Sequence, residues 1–252
     1  MLNKRLWMAY YFGVLWLMPE TAWAMHIPDG ILPLPQTMFW WAMSLPMIIV
    51  GLRYIDKLVN LNSGAKLLLA LAGAFTFVLS ALPLPSMTGL SSHPTGVGLG
   101  TVLFGPWVMS VLGTIVLLFQ ATLMGHGGLF SLGANIFSMG VVGPLVAFAS
   151  YRGGKRLGLP VTLSVFISAC LANLATYVVA SVQMAWAVPD PVSGFVGALV
   201  KFLSLYLVTQ VPLAISEGIL TVVVFNGLLS YNQQDLQQLS VIQREEAHEV
   251  SA

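Results

Sequence analysis

The chain reads as an all-α, polytopic helical membrane protein with about six to seven transmembrane helices, and three observations predict this. Hydrophobic residues make up 57% of the 252 positions and charged ones 8%, against roughly 25% charge in an ordinary soluble domain; mean hydropathy is +0.86. Apolar segments follow one another along the chain, with no polar block longer than the C-terminal tail. The few basic residues cluster in some of the breaks and are missing from others, the pattern that membrane topology imposes. A net charge of +1 with only small basic clusters excludes a nucleic-acid partner, and a single cysteine, Cys170, excludes a disulfide framework. Cys170 lies in an apolar segment and reads as a packing residue.

Residues 1–24 divide as a secretory signal does: Lys4 and Arg5, the apolar run 6–18, then a polar stretch ending Ala22-Trp23-Ala24. Cleavage after Ala24 is the expected reading. The alternative, an uncleaved anchor, is disfavoured because 6–18 is shorter than the roughly 20 residues a bilayer crossing needs. The remaining organisation follows: a short N-terminal segment 25–35, a transmembrane domain 36–230, and an acidic, Gln-rich tail 231–252.

Within the transmembrane domain the apolar stretches are 36–52, 65–82, a long region 94–151, 160–188 and 195–230. Arg53, Lys57 and Lys66 mark the first loop as cytoplasmic, and Arg152, Lys155 and Arg156 mark the loop near 155 as cytoplasmic. The turn at 83–92 has no Lys or Arg and is expected outside. A chain passing from outside at Ser92 to inside at Arg152 crosses an odd number of times, and three is the economical count. Glycines and Pro106 suggest a short or half-inserted helix at 96–104, then 107–123, then 132–150. Irregular, Gly-rich backbone at membrane depth is tolerated only where protein buries it or a cavity hydrates it. The mature chain is thus expected to start outside, cross seven times and end in the cytoplasm.

A chain that begins Met25-His26 carries a chelator in its first two residues. The α-amine of Met25, the backbone nitrogen of His26 and the His26 imidazole form fused chelate rings around one metal. Three nearly coplanar nitrogens and a fourth in-plane donor suit Ni(II) or Cu(II), with Co(II) also within reach. Only a free N-terminus does this. His93, in "MTGLSSHPTGVG", is the leading fourth donor, since it is expected at the outer end of a crossing and the glycines and Pro94 around it shape an irregular backbone. His126, in "MGHGG", competes, but is placed on the cytoplasmic side of the preceding helix; His248 falls in the solvated tail. The "PDG" of residues 28–30 has a sufficient explanation as a turn, with Asp29 alternatively an acceptor for the ring N–H of the ligand histidine.

Glu217, an acid inside the last apolar segment, is a functional candidate because burying it is costly; a buried acid that fixes helix packing is the plainer alternative. Lys201 lies near the outer end of the same segment and can snorkel. There is no H-E-x-x-H, G-x-S-x-G or Walker A lysine loop, so neither membrane proteolysis nor self-powered ATP hydrolysis has a visible basis. An intramembrane metalloenzyme is disfavoured because no general base accompanies the histidines, and a purely structural scaffold would hold no stoichiometric metal.

"AMHIPDGILP", "SSHPTGVGLGTVLFGPW", "LLFQATLMGHGGLFSLGANIFSMGVVGP", "LATYVVASVQMAWAVPDP" and "TQVPLAISEGILTV" occur in that order over residues 25–221. Together they resemble the substrate-capturing membrane component of energy-coupling-factor transporters for cobalt and nickel, the CbiM/NikM family, and look most like its cobalt branch. Ser91-Ser92 stand where many members have a cysteine before the motif histidine. That departure touches none of the expected ligands. The resemblance implies a transporter subunit rather than an enzyme, with no resident cofactor, and Co(II), or alternatively Ni(II), as cargo. It further implies metal ligation by Met25, His26 and His93. The implied partners are a transmembrane coupling protein, two ATP-binding cassette ATPase subunits and a small accessory membrane protein; the implied location is the bacterial inner membrane, and the implied destination of cobalt is cobalamin synthesis.

Overall fold

The computed structural model describes residues 26–61, 64–82, 84–85, 91–231 and 236; Met25, the signal-like residues 1–24 and the tail beyond 236 lie outside them. Seven helical rods make up the described chain: α1 (Leu34–Leu61), α2 (Ala65–Ser80), α3 (Val97–Phe104), α4 (Pro106–Leu123), α5 (Leu132–Arg156), α6 (Val161–Ala187) and α7 (Gly194–Tyr231). Five of them are long and apolar enough to cross a membrane, and α2 is a shorter apolar helix. Between α2 and α3 a two-residue antiparallel pairing joins β1 (Leu84–Pro85) to β2 (Ser91–Ser92).

The distribution of polarity is that of a protein solvated by lipid. Leu34, Met38, Leu45 and Ile49 of α1 and Leu207, Val208 and Ile215 of α7 face outward, while Gln120, Asn173, Gln183 and Glu217 are fully buried. In a bilayer the apolar outer faces cost nothing, and every buried polar group must find its partner inside the bundle.

The two ends of the bundle differ in charge. α1 runs toward Arg53 and Lys57, α2 returns from Lys66, and α5 ends on Lys155 and Arg156. At this basic end a surface cleft gathers Tyr54, Leu58, Gly105, Pro106, Tyr151 and Arg152, which places the α3–α4 turn there. The opposite end holds the C-terminus of α2, where Ser80 Oγ accepts a hydrogen bond from Gln120 Nε2 of α4 at 2.8 Å.

α3 is the irregular pass. Its eight residues rise about 12 Å, less than half of the roughly 27 Å that the 18 residues of α4 cover on the way back, and non-helical residues lead into it. The reversal between them needs Gly105, whose φ of +83° is available to glycine without steric cost, and Pro106, which starts α4 where its missing N–H is no loss.

Small residues let the rods approach. A Cβ on Gly98 of α3 would stand 2.8 Å from the Ala169 Cα of α6, and one on Gly133 of α5 would stand 2.7 Å from the Trp41 ring of α1. Within α5, residues Ile136–Val142 form a π-helical segment, a local widening of the helix often found next to functional sites. Cys170 packs as expected, its thiol donating to the Ala214 carbonyl at 3.1 Å. Lys201 does more than snorkel: it pairs with Asp190 in the α6–α7 loop.

One topological expectation is corrected. Three passes do lie between Ser92 and Arg152, but the second of them, α4, returns the chain to the end it left. His126 therefore sits at the same end as His93, not on the far side. An odd count of passes requires this, because only the third pass, α5, ends at Arg152.

Candidate metal centre

At the end of the bundle away from the basic cluster, three imidazoles from distant parts of the chain meet. Ring centroids are 4.6 Å apart for His26 and His93, 4.9 Å for His26 and His126, and 5.2 Å for His93 and His126. All three are buried, and one nitrogen from each lies within 4.8 Å of the others. Donors on opposite sides of a metal bonded at about 2.1 Å are about 4 Å apart, so the three rings need only small shifts to share one ion.

The His26 and His93 rings are each oriented by a hydrogen bond that decides which nitrogen is free. Ser80 Oγ donates to the Thr76 carbonyl at 2.6 Å and so accepts from Gln120 Nε2. Gln120 thus presents its oxygen to His26, whose Nε2 lies 3.0 Å away and must donate. The nitrogen left over is Nδ1, the one that closes a six-membered chelate ring with the His26 backbone nitrogen. His93 is set the opposite way: its Nδ1 donates to the Pro94 carbonyl at 2.8 Å, and its buried Nε2 has no hydrogen-bond partner among the described residues. His126 Nε2 is likewise buried without a partner among them. A buried polar atom left unsatisfied is costly, and two lone pairs aimed into one small volume suit a cation.

Burial holds these imidazoles in the neutral, ligating form. It pushes His93 down to about 3, with His126 beside it adding to the effect. His26 is lowered well below its ordinary value by burial and then by the two neighbouring rings, against a raising contribution from Gln120; His126 is lowered by burial.

The N-terminal segment is clasped rather than loosely draped. Asn135 at the start of α5 accepts the Ile27 N–H at 2.9 Å and donates to the Ile27 carbonyl at 3.1 Å, while Ser131 donates to that carbonyl as well. The Asp29 carboxylate accepts the Leu129 and Ser131 N–H groups, each at 2.9 Å. Asp29 thus ties the segment to the loop after His126, and none of its hydrogen bonds among the described residues goes to a histidine. The glycines of "GHGG" allow the close approach: Gly127 has φ +90°, and a Cβ on Gly128 would stand 2.0 Å from Asp29 Oδ1 and 2.5 Å from the Asp29 backbone nitrogen. Gly128→Ala is therefore expected to push the segment off its seat and to weaken metal binding by about tenfold or more, checked by equilibrium dialysis against the unsubstituted protein.

His93 is held from several sides. Its carbonyl accepts the Tyr177 hydroxyl of α6 at 2.7 Å, and Ser92 Oγ donates to Thr209 Oγ1 of α7 at 2.9 Å. Thr76 of α2 donates to the Gly96 carbonyl at 2.9 Å. Glu217, fully buried, accepts hydrogen bonds from both Thr95 and Gly96. Of the residues expected at the site, His26 and His93 meet, Met25 lies outside the described residues, and Glu217 lies behind the His93 loop. Gln120, Ser131, Asn135 and Asn173 were not singled out from the sequence as site residues, and only being polar amides inside apolar runs signalled three of them; His126 was weighed there as a competing donor but set on the far side.

A family model described as "Cobalt uptake substrate-specific transmembrane region", CbiM, matches residues 26–234. The chain belongs to the CbiM family. It is 51% identical over 238 residues, 94% of each chain, to the "Cobalt transport protein CbiM" of Acetohalobium arabaticum. To the protein of the same description from a Roseiflexus species it is 55% identical over 228 residues, covering 90% of this chain and 91% of that one. A crystal structure described as a truncated transition metal transporter superposes with a TM-score of 0.71 at 25% identity, covering 82% of this chain and 99% of that one. CbiM proteins are transport proteins, not enzymes, and the seven-helix bundle is a multi-pass membrane component of cobalt uptake.

Proposed function

We propose that the chain is the substrate-capture component of an ATP-driven uptake transporter of the energy-coupling-factor type, taking Co(II) from the outer side of the bacterial inner membrane. The observation that carries this reading is the convergence of three buried, neutral imidazoles at the N-terminal segment, with His26 one residue behind a free amine if the signal is removed. Met25 supplies the amine, His26 its amide nitrogen and Nδ1, and His93 its Nε2. His126, from the same end of the bundle, would supply a further nitrogen.

Basic residues at the opposite end support a mature N-terminus outside and a cytoplasmic C-terminus. A chain without a Walker A loop draws its energy from partners: a transmembrane coupling protein, a pair of ATP-binding cassette ATPases and a small accessory membrane protein. Cobalt delivered this way serves cobalamin synthesis. A second reading, the same site importing Ni(II), is favoured by the planar nitrogen set itself, which suits that ion.

The test is stoichiometry and competition. The mature protein in detergent should bind one Co(II) per chain, and uptake by cells carrying the partner subunits should favour Co(II) over an equal concentration of Ni(II). Ni(II) winning that competition selects the second reading, and absence of stoichiometric metal rejects both.

The pH dependence follows from which protons the metal must displace. The imidazoles are proton-free in the folded site well below pH 6.5, so protons compete at the amine, with an ordinary pKa of about 7.7–8, and at the amide. Affinity should then rise about tenfold per unit above the amine pKa, where one proton is released, and about a hundredfold per unit below it, where two are. Isothermal titration between pH 6 and 9 reads this slope; a flat profile would rule out amine and amide ligation.

A further inference from the structure

The Glu217 carboxylate stands at the meeting point of three helices and the loop that carries His93. Oε2 accepts the Thr95 N–H at 2.7 Å and Asn173 Nδ2 of α6 at 2.8 Å. Oε1 accepts the Gly96 N–H at 2.7 Å and the Thr95 hydroxyl at 2.8 Å. Three of these four partners are N–H groups that can only donate. Two of them are the unpaired backbone N–H groups that precede α3, so the carboxylate from α7 caps a helix on another part of the chain, where its charge also meets the positive end of the α3 dipole. A buried acid that fixed helix packing alone would need one partner on a neighbouring rod. Here three of the four contacts fall on two consecutive residues, the second and third after His93.

We infer that Glu217 is a positioning residue for the metal site: by gripping Thr95 and Gly96 it sets where His93 Nε2 points, and it ties α7 to the ligand loop. This rests on the reading of His93 as a ligand. The loop has little else to hold its backbone donors, since an eight-residue α3 is too short to have a stable conformation of its own, and Gly96, at φ +71°, resists no displacement by itself. α7 packs chiefly on α6, and the Glu217 contacts, with the hydroxyl pair of Ser92 and Thr209, link it directly to the loop that carries His93. Movement of α7 is thereby coupled to the geometry of the ligand set.

Glu217→Gln preserves size and breaks the grip by chemistry. Each carboxylate oxygen accepts one backbone N–H, from Thr95 on one side and Gly96 on the other, and neither can reverse. Whichever oxygen the amide nitrogen replaces, donor faces donor. Thr95→Val removes only the hydroxyl donor, and Thr95→Ser keeps it.

The experiment is Cu(II) titration of the mature full chain in detergent, with electron paramagnetic resonance and the visible d–d band read at saturation, for the unsubstituted protein, Glu217→Gln, Thr95→Val, Thr95→Ser, Thr221→Ala and His93→Ala. Thr221 lies one turn further along α7, buried, with no hydrogen-bond partner for its hydroxyl among the described residues. Glu217→Gln should weaken Cu(II) binding by about 10- to 100-fold and move both spectra toward those of His93→Ala; Thr221→Ala and Thr95→Ser should match the unsubstituted protein. Unchanged affinity and spectra in Glu217→Gln, with metal lost in His93→Ala, overturn the positioning role alone. Weakened binding with unchanged spectra overturns it too, since a general loss of stability does not alter the donor set. Normal binding by His93→Ala rejects the ligand site beneath the inference. Should Glu217→Gln fail to fold, the Thr95 pair decides: a spectral shift in Thr95→Val that Thr95→Ser lacks supports the grip, and identical behaviour of the two overturns it.

Discussion

His93→Ala loses Co(II) affinity by more than about a hundredfold while the protein remains a folded, monodisperse membrane protein in detergent. The magnitude follows because groups that merely orient a ligand cost about 10- to 100-fold when removed, and His93 is proposed to touch the metal. Folding survives because the loop backbone keeps the contacts that hold it: Tyr177 still donates to the carbonyl of residue 93, and Glu217 still accepts from Thr95 and Gly96. The vacated space is small and its neighbours are other imidazoles. Isothermal titration measures the loss, and gel filtration with thermal unfolding checks the fold. His126→Ala should weaken binding less, since it leaves the amine, amide and two in-plane imidazoles. Full metal retention by His93→Ala would dismiss it as a ligand, and a larger loss from His126→Ala than from His93→Ala would reassign the in-plane donor.

Blocking signal removal should be as damaging, without touching any residue of the bundle. A signal peptidase requires a small residue at the position before the cut, so Ala24→Leu is expected to retain residues 1–24 and to convert the Met25 amine into an ordinary amide. The amine leaves the ligand set, and with it goes the five-membered ring that it closes with the His26 amide, so the amide loses the anchor that favours its deprotonation. The intact mass of the purified protein reads the N-terminus, and Co(II) titration reads the consequence: a mass starting at Met1 with affinity lower by more than about a hundredfold. A chain that keeps its first 24 residues and binds metal as the mature form does would exclude the amine as a donor. The structure prepares the segment for its role, since Asn135, Ser131 and the Leu129 N–H hold residues 27–29 and so deliver His26 to Gln120.

Much of the architecture was readable along the chain. The expected stretches 96–104, 107–123 and 160–188 coincide within a residue or so with α3, α4 and α6. Apolar runs and the Gly-Pro punctuation at residues 105–106 are local properties, and so are their lengths. α1 runs to Leu61 rather than ending at 52, because Arg53 and Lys57 do not interrupt a helix whose long side chains reach the membrane surface. α5 likewise extends to Arg156, where basic residues suit the C-terminal turn.

The site was half legible. His26 stood out because it stands second after the expected cleavage position at Ala24, and His93 because it adjoined irregular backbone. His126 was set on the wrong side, although the expected three passes already implied its return. Gln120 and Asn135 carried no mark beyond being polar in apolar runs, and nothing local distinguishes an amide that orients a ligand from one that bonds its own helix.

The sequence by itself therefore determined that this is a helical membrane protein of the CbiM type, with its membrane-crossing lengths and basic end, since each depends on neighbouring residues or on composition. Only the tertiary structure decided that His126 joins His26 and His93, that Gln120 leaves His26 Nδ1 free, and that Glu217 grips the His93 loop. These contacts join residues 33 to 122 positions apart; the hydrogen bonds among them exist because packing of α3, α4, α6 and α7 leaves buried donors and acceptors that must satisfy one another where no water can.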